Sequence, residues 1–234
     1  MTRLTLGLPS KGRLQEATVA WFAERGVTIE RLGGGREYAA RASGIDGLDV
    51  IMLAAGEIPR ELGAGRIHLG VTGEDLIRER LAGWEDRVDL ATEMGFGHAD
   101  LVVAVPAWWV DVETLDDLDE VAEAFRGRHG HPLRVATKYH NLTQGFFRHH
   151  GVADYRIVDS QGATEAAPKN LSAEAIVDIT TTRSTLRANH LRVLADGLIL
   201  RSQANLCISR VADWSGRAHQ RLRDLAARLA LKDW

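Results

Sequence analysis

The chain has a single cysteine, Cys207, in 234 residues. One thiol can neither close an internal disulfide nor build a cysteine-rich zinc site. Cys207 lies in the apolar run Leu206-Cys207-Ile208, which predicts a core position. No apolar run is long enough to span a bilayer. The start, Met1 to Leu8, lacks both the apolar length and the cleavage site of a signal peptide, so a cytoplasmic protein is expected. Neither sign of charge is in excess, with 29 Lys+Arg against 32 Asp+Glu and a net charge of −3. That balance argues against nucleic acid or a membrane surface as a partner. There is no G-x-G-x-x-G after the first strand, no Walker loop and no G-x-S-x-G elbow, which removes dinucleotide oxidoreductase, P-loop and serine-hydrolase readings. The pairs His129/His131 and His149/His150 have no partners at metal-ligand spacing and read as surface histidines.

What is present is an alternation of strand-like and helix-like segments. Leu4, Leu6 and Leu8 alternate as in a strand, and Leu14, Ala17, Trp21 and Phe22 mark one face of a helix that stops at Gly26. Leu48 to Ala54, Ile67 to Val71 and Asp100 to Val105 read as strands, with a helical turn at 57–62 and a helix opening at 72–75. A second series follows: a helix over 115–125, a strand over 133–136, a helix capped by Asn141, a strand over 155–159 and a short helix within 162–169. Strand-like runs at 191–194 and 198–208 are joined at Asp196-Gly197, and the tail from Ser215 is amphipathic. Repeated strand–helix units predict an α/β fold with mixed, mostly parallel sheets, and Pro106 is the best candidate hinge between two lobes with a central cleft.

The stretch Ala175 to Leu186 carries the strongest chemical signal. A buried strand, Ala175 to Ile179, ends beside an acid, Asp178, and runs into Thr180, Thr181, Thr182, Ser184 and Thr185 before a helix starts. A helix-opening turn offers unpaired amides and the positive end of the helix dipole, and hydroxyls add donors without charge, so the turn suits a phosphate. The preceding acid suits ribose hydroxyls, and a 5-phosphoribosyl group has both features. The same stretch also reads as a threonine-rich strand before an N-capped helix, and by itself it leaves both readings open. Lys11 and Arg13 flank Gly12 where a helix begins, a position at which cations cost about 0.3–1 kcal/mol each. A bound anion would offset that; side chains pointing into solvent would not need to. Lys138, after the 133–136 strand, could reach a phosphate or support the sheet end.

Five segments in order resemble the ATP phosphoribosyltransferase family: Ser10-Lys-Gly-Arg-Leu-Gln-Glu16; Glu57 to Leu62 with Gly65 to Asp75; Arg134 to Thr143; Gly162-Ala-Thr-Glu-Ala-Ala-Pro168; and Ile176 to Asn189. The resemblance implies a two-lobed fold like type II periplasmic binding proteins, with residues 1–104 and 190–234 in lobe I and 105–189 in lobe II. It implies attack of adenine N1 of ATP on phosphoribosyl pyrophosphate, releasing pyrophosphate with Mg²⁺ present and held mainly by the pyrophosphate. It also implies the short form of the enzyme, a homodimer within a hetero-oligomer that includes a histidyl-tRNA-synthetase-like regulatory subunit.

Arg13 and Lys11 on the matching positions, with Arg36 just after the Gly33-Gly34-Gly35 turn, are expected at the pyrophosphate. Asp178 and Thr180, Thr181, Thr182, Arg183, Ser184 and Thr185 are expected at the phosphoribosyl group. Lys11, Glu57, Gly73, Asp75 and Glu165 are expected at ATP, with Glu165 acting from a facing helix. Arg183 departs from the pattern, since the family motif has glycine there, a residue suited to positive φ or close approach to a phosphate. A non-catalytic nucleotide- or solute-binding relative of the same fold is the alternative. A purine-salvage phosphoribosyltransferase fits less well, because those place two acids before the loop and here Ile179 follows Asp178.

Overall fold

The computed structural model describes residues 3–32, 39–160 and 162–231. The chain divides into two compact units, one made of residues up to Gly97 and from Gln203 onward, the other of His98–Ser202. In the first unit come β1 (Leu4–Pro9), α1 (Gly12–Ala23), β2 (Thr28–Arg31), β3 (Ala39–Ser43), β4 (Leu48–Leu53), α2 (Ile58–Gly63), β5 (Leu69–Gly73), α3 (Glu74–Arg80) and β6 (Val88–Glu93). The second unit holds β7 (Ala99–Pro106), α4 (Leu115–His129), β8 (Leu133–Thr137), α5 (His140–His149), β9 (Tyr155–Asp159), β10 (Ala175–Thr180), α6 (Ser184–Ala188) and β11 (Leu191–Ser202). The chain then returns to the first unit with β12 (Ala204–Ser209) and α7 (Ala218–Leu229).

In the first unit the strand order among the described residues is β2-β3-β4-β1-β5-β12-β6. β1 lies between β4 and β5 and is parallel to both, with Leu4, Leu6 and Leu8 in register with Leu48, Val50 and Met52. These side chains are buried with Trp21 and Phe22 of α1 and with Leu222, Leu225 and Leu229 of α7, so the two amphipathic helices share one core with the sheet. A second cluster, Ile58, Leu62, Ile67, Ile77, Val88 and Cys207, packs α2 and α3 on the sheet. Gly70 permits that approach, because a Cβ there would meet Ile58 Cγ2 at 2.6 Å.

In the second unit the order is β11-β7-β10-β8-β9, with β8 parallel to β9 and β10 and with β7 antiparallel to β10 and β11. β7 and β10 are buried on both faces. Leu101, Val103, Val105, Ala175 and Val177 enter one core, and Val102, Ala104 and Ile176 the other, following the two-residue alternation of a strand. Helix α4 begins with a capping box between Thr114 and Asp117.

Several expectations are corrected. The sheets are mixed rather than mostly parallel: four of the ten strand pairings among the described residues are parallel. The unit boundaries fall at 97/98 and 202/203, not at 104 and 190, because β7 and β11 pair with each other along nearly their whole length. Asp196-Gly197 is not a join. It is an irregularity within continuous β11, where Asp196 Oδ1 accepts the Leu115 amide at 3.0 Å and caps the start of α4. The break falls instead at Gln203, where the chain changes units. Tyr139, not Asn141, is the N-cap residue of α5, and the 162–169 segment forms only a 3-10 turn at Thr164–Ala166. β2, β3 and β6 were not apparent in the sequence; β2 and β6 are the outer strands of their sheet, and β2 has a mostly exposed pattern. Among the described residues no helix is long and apolar enough to cross a membrane.

Cys207 is fully buried on β12, and burial, with the Glu74 charge adding to it, pushes its thiol well above the ordinary range. The native protein should therefore not react with a thiol reagent, and one thiol per chain should appear on denaturation. Reaction of the native chain at the rate of a free thiol would mean that β12 opens under native conditions.

Candidate functional site

Three turns of the first unit lie at the carboxyl ends of neighbouring parallel strands, where α/β sheets bind ligands. The first, after β1, runs from Ser10 to Arg13. Gly12 takes φ +76°, with open space where a Cβ would stand, and Lys11 is the N-cap of α1. No acid lies in the first turn of α1. Lys11 and Arg13 are exposed, and neither has an ion-pair partner among the described residues. The second turn, after β4, carries Glu57, whose carboxylate accepts the Ala54 amide at 3.0 Å and so closes its own turn. The third, after β5, carries Gly73 as N-cap of α3 and Asp75, which is buried. The turns are tied together: Ser10 N–H donates to Leu53 O at 2.7 Å, and the Thr72 hydroxyl to Ala55 O at 2.9 Å. Arg31 donates to Ser10 O. The structure thus lines up Lys11, Arg13, Glu57, Gly73 and Asp75 along one sheet edge. Arg36, also expected at the pyrophosphate, lies outside the described residues. Fully buried Thr72, which joins two of the turns, was not singled out by the sequence.

In the second unit β10 runs beside its parallel neighbour β8 and past the end of it. β10 delivers Asp178 and then the turn Thr180–Ser184. Arg183 reverses the chain at φ 59°, ψ 7°, and its amide donates to the Thr180 hydroxyl at 2.9 Å. Thr181 Oγ1 donates to His98 O at 3.2 Å, and the Thr182 and Ser184 hydroxyls lie 2.8 Å apart. Thr181, Thr182, Ser184 and Thr185 are exposed, while Leu186 anchors α6 in the core. The turn is therefore a shaped, hydroxyl-lined surface at the start of a helix, whose first amides have no intrahelical acceptor.

Asp178 is mostly buried. Burial holds its carboxyl above the ordinary carboxylate range, and the nearby Glu165 charge adds to this; the Ile179 amide, Lys138 and the Thr164 hydroxyl act in the opposite direction. The Ile179 amide donates to Asp178 Oδ1 at 2.8 Å, and Lys138 Nζ stands 3.8 Å from the same oxygen. Glu165 reaches this group from the 3-10 turn at 164–166, not from a helix. Thr164 and Lys138 join the cluster although the sequence reading did not place them there. Their signal was present in the segments 162–168 and 134–143, but only the fold brings them to Asp178: Lys138 follows β8, the parallel neighbour of β10, and Thr164 lies on the 3-10 turn. His140 is engaged elsewhere, with Nε2 3.0 Å from Asp159 Oδ1.

Two α/β units, with the chain entering and leaving the second one between β-strands of the first, define a fold of the type II periplasmic-binding-protein kind. A solved structure of the periplasmic aliphatic sulphonate binding protein SsuA from Escherichia coli matches at TM-score 0.54 and 17% identity, over 97% of this chain and 71% of that one. A solved structure of the ATP phosphoribosyl transferase (HisG:HisZ) complex from Thermotoga maritima matches at TM-score 0.72 and 24% identity, over 97% and 96%. The family model HisG, ATP phosphoribosyltransferase, matches residues 54–231. An ATP phosphoribosyltransferase of Cereibacter sphaeroides is 59% identical over 97% of this chain and 96% of its own length. One of Mesorhizobium japonicum is 54% identical over 97% and 98%, and one of Bradyrhizobium diazoefficiens is 55% identical over 97% and 70%. The chain belongs to the ATP phosphoribosyltransferase family. Its activity is transfer of the 5-phosphoribosyl group of phosphoribosyl pyrophosphate to N1 of ATP, the first step of histidine biosynthesis.

The left-handed backbone at Arg183, φ 59°, ψ 7°, is the conformation that glycine adopts without penalty, and arginine there carries roughly 1–2 kcal/mol of strain. Arg183→Gly should raise the unfolding free energy by about 1 kcal/mol in a denaturant titration. A loss of stability would mean that the guanidinium makes a compensating contact.

Proposed function

We propose that the hydroxyl-lined turn of the second unit holds the 5-phosphate, and that the cationic turn after β1 answers the leaving pyrophosphate. As the anomeric C–O bond breaks and the bond to adenine N1 forms, positive charge grows on the ribose and negative charge on the pyrophosphate. Lys11 and Arg13, with Arg36, stabilise the departing charge, which is the larger electrostatic demand. The hydroxyls and amides of residues 180–185 receive the 5-phosphate, and Arg183 covers it with a guanidinium. Asp178 accepts hydrogen bonds from the ribose hydroxyls. Glu57, Gly73, Asp75 and Lys11 form the ATP side, and Glu165 orients ATP or ribose. The observation that carries this reading is the turn itself: Thr180 fixes the Arg183 reversal, and the remaining hydroxyls face outward around it.

Among the described residues no three carboxylate, imidazole or thiolate groups converge as a metal cage. Mg²⁺, a cation that usually keeps its waters and takes one or two carboxylates, would be carried by the pyrophosphate oxygens. Asp75 would orient it, and the ion would neutralise leaving-group charge. The solved HisG:HisZ complex supports a regulatory partner subunit for this chain. The family resemblance extends this to a histidyl-tRNA-synthetase-like subunit, in a hetero-oligomer built on a homodimer and working in the cytoplasm.

Turnover with ATP, phosphoribosyl pyrophosphate and Mg²⁺, with and without a co-purifying subunit, should yield pyrophosphate and an absorbing N1 adduct. Arg13→Ala should slow it by about 100-fold, the cost of one charge-stabilising donor. Turnover within about threefold of wild type, under about 1 kcal/mol of barrier, would remove Arg13 from the leaving-group role. Asp178→Asn should cut kcat/KM for phosphoribosyl pyrophosphate by about 100-fold while raising Tm above neutral pH. The sign follows from the raised carboxyl: the folded state holds the proton more tightly than the unfolded state. Stability therefore falls as pH rises from the unfolded pKa through the folded one, and the asparagine escapes that loss. An unchanged or lower Tm would show that the buried charge is no burden to the fold.

A further inference from the structure

The ribose-binding reading of Asp178 leaves one question open: what keeps a mostly buried carboxylate charged when a second carboxylate, Glu165, stands close by. Two like charges in a partly dried niche favour uptake of a proton by one of them, and a protonated Asp178 would be a poorer acceptor for a diol. The topology supplies the answer. Ala136 of β8 is in parallel register with Ile176 of β10, and β8 ends at Thr137, so Lys138 stands just past the end of β8 and beside Asp178 of β10. Lys138 Nζ lies 3.8 Å from Asp178 Oδ1, and among the described residues it makes no other ion pair. Its ammonium also stands 5.3 Å from the ring centroid of Tyr139, which is 2% exposed and fixed in the core. The lysine is thus held beside the carboxylate and yet half open to solvent.

Among the described residues, the other neighbours of Asp178 do not supply a positive charge. On the 164–166 turn stand Glu165 and the Thr164 hydroxyl, and on β7 the registered partner is apolar Val102. The Ile179 amide contributes a dipole only. His140, two residues from Lys138, is paired with Asp159.

We propose that Lys138 is a positioning residue for the ribose of phosphoribosyl pyrophosphate, acting through Asp178 by keeping its carboxylate ionised and aimed for the sugar hydroxyls. The inference rests on the assignment of Asp178 to the ribose, and it adds a residue whose job is electrostatic rather than direct contact with the reacting atoms.

The test compares wild type, Lys138→Met, Lys138→Gln, Lys138→Arg and Asp178→Asn, each purified with any subunit that accompanies the native chain. Steady-state rates are measured for each substrate between about pH 5 and 9, the range over which a carboxylate with a raised pKa shows in the profile. Lys138→Met and Lys138→Gln should raise KM for phosphoribosyl pyrophosphate by about tenfold, leave KM for ATP within about twofold, and move the acid limb of kcat/KM for phosphoribosyl pyrophosphate to higher pH. Lys138→Arg, which keeps the charge, should restore both. Melting curves identify any variant that has lost its fold, and either neutral substitution serves if the other is unstable. An acid limb that stays in place in a folded neutral variant overturns the proposal, as does an arginine variant as impaired as the methionine one. If Asp178→Asn is itself close to wild type, the ribose assignment fails and takes this proposal with it. If Asp178→Asn is crippled while Lys138→Met is normal, only the role of Lys138 fails.

Discussion

Between Thr180 and Ser184 the backbone must pass from a strand buried on both faces into a short helix, and it does so through a left-handed residue that carries a side chain. The Arg183 amide is tied to the Thr180 hydroxyl, Thr181 is tied to His98 O at the start of β7, and Leu186 is sunk in the core. The turn is thereby held from both ends while its remaining hydroxyls stay outside. Strain of this kind persists where the surroundings over-determine it, and it marks positions at which shape matters more than stability. The assignment of the phosphoribosyl group to the second unit depends on this turn.

The carboxylate one strand-step before the turn has the same character. Asp178 stands two residues before the end of β10, where the strand that sent Ile176 and Val177 into opposite cores runs on toward its turn. There it is too buried to be comfortable as an anion, and its environment is adjusted by groups from two other segments. In the first unit the parallel trio β4-β1-β5 does comparable work, collecting three turns at one edge and leaving Lys11 and Arg13 exposed beside a helix start that favours anions. In both units cost to the fold is concentrated at the carboxyl edges of parallel strands, which is where a ligand would relieve it.

Much of this was legible in the sequence, for identifiable reasons. β1, β4, β7 and β10 have apolar runs or alternations that admit only strands, and Gly12, Gly26 and the hydroxyl cluster punctuate them. The resemblance to the family rested on segments that lie at or just after the ends of β1, β4, β5, β8, β9 and β10. The exposed strand β2 was not legible, because an outer strand with mostly polar residues carries no periodic signal. The continuity of β11 through Asp196-Gly197 was missed because turn-forming residues there serve an irregularity and a helix cap, which sequence alone cannot tell from a loop. Pro106 looks like a hinge, yet it is paired with Leu191 in the sheet, and the two units part at 97/98 and 202/203. Within the site, Asp178 and the hydroxyls were visible as a local pattern. The meeting of Lys138, Thr164 and Glu165 around Asp178 was not, since Lys138 arrives through the pairing of β8 with β10 and the other two through a separate 3-10 turn.

The central claim is that the turn at 180–185 binds the 5-phosphate rather than the pyrophosphate, and amide hydrogen exchange of that segment tests it most directly. Ribose 5-phosphate, which lacks the pyrophosphate, should slow exchange in the peptide spanning residues 180–188, and inorganic pyrophosphate alone should leave that peptide unchanged. Protection of this turn by pyrophosphate and not by ribose 5-phosphate would contradict the account and move the phosphoribosyl end of the substrate elsewhere.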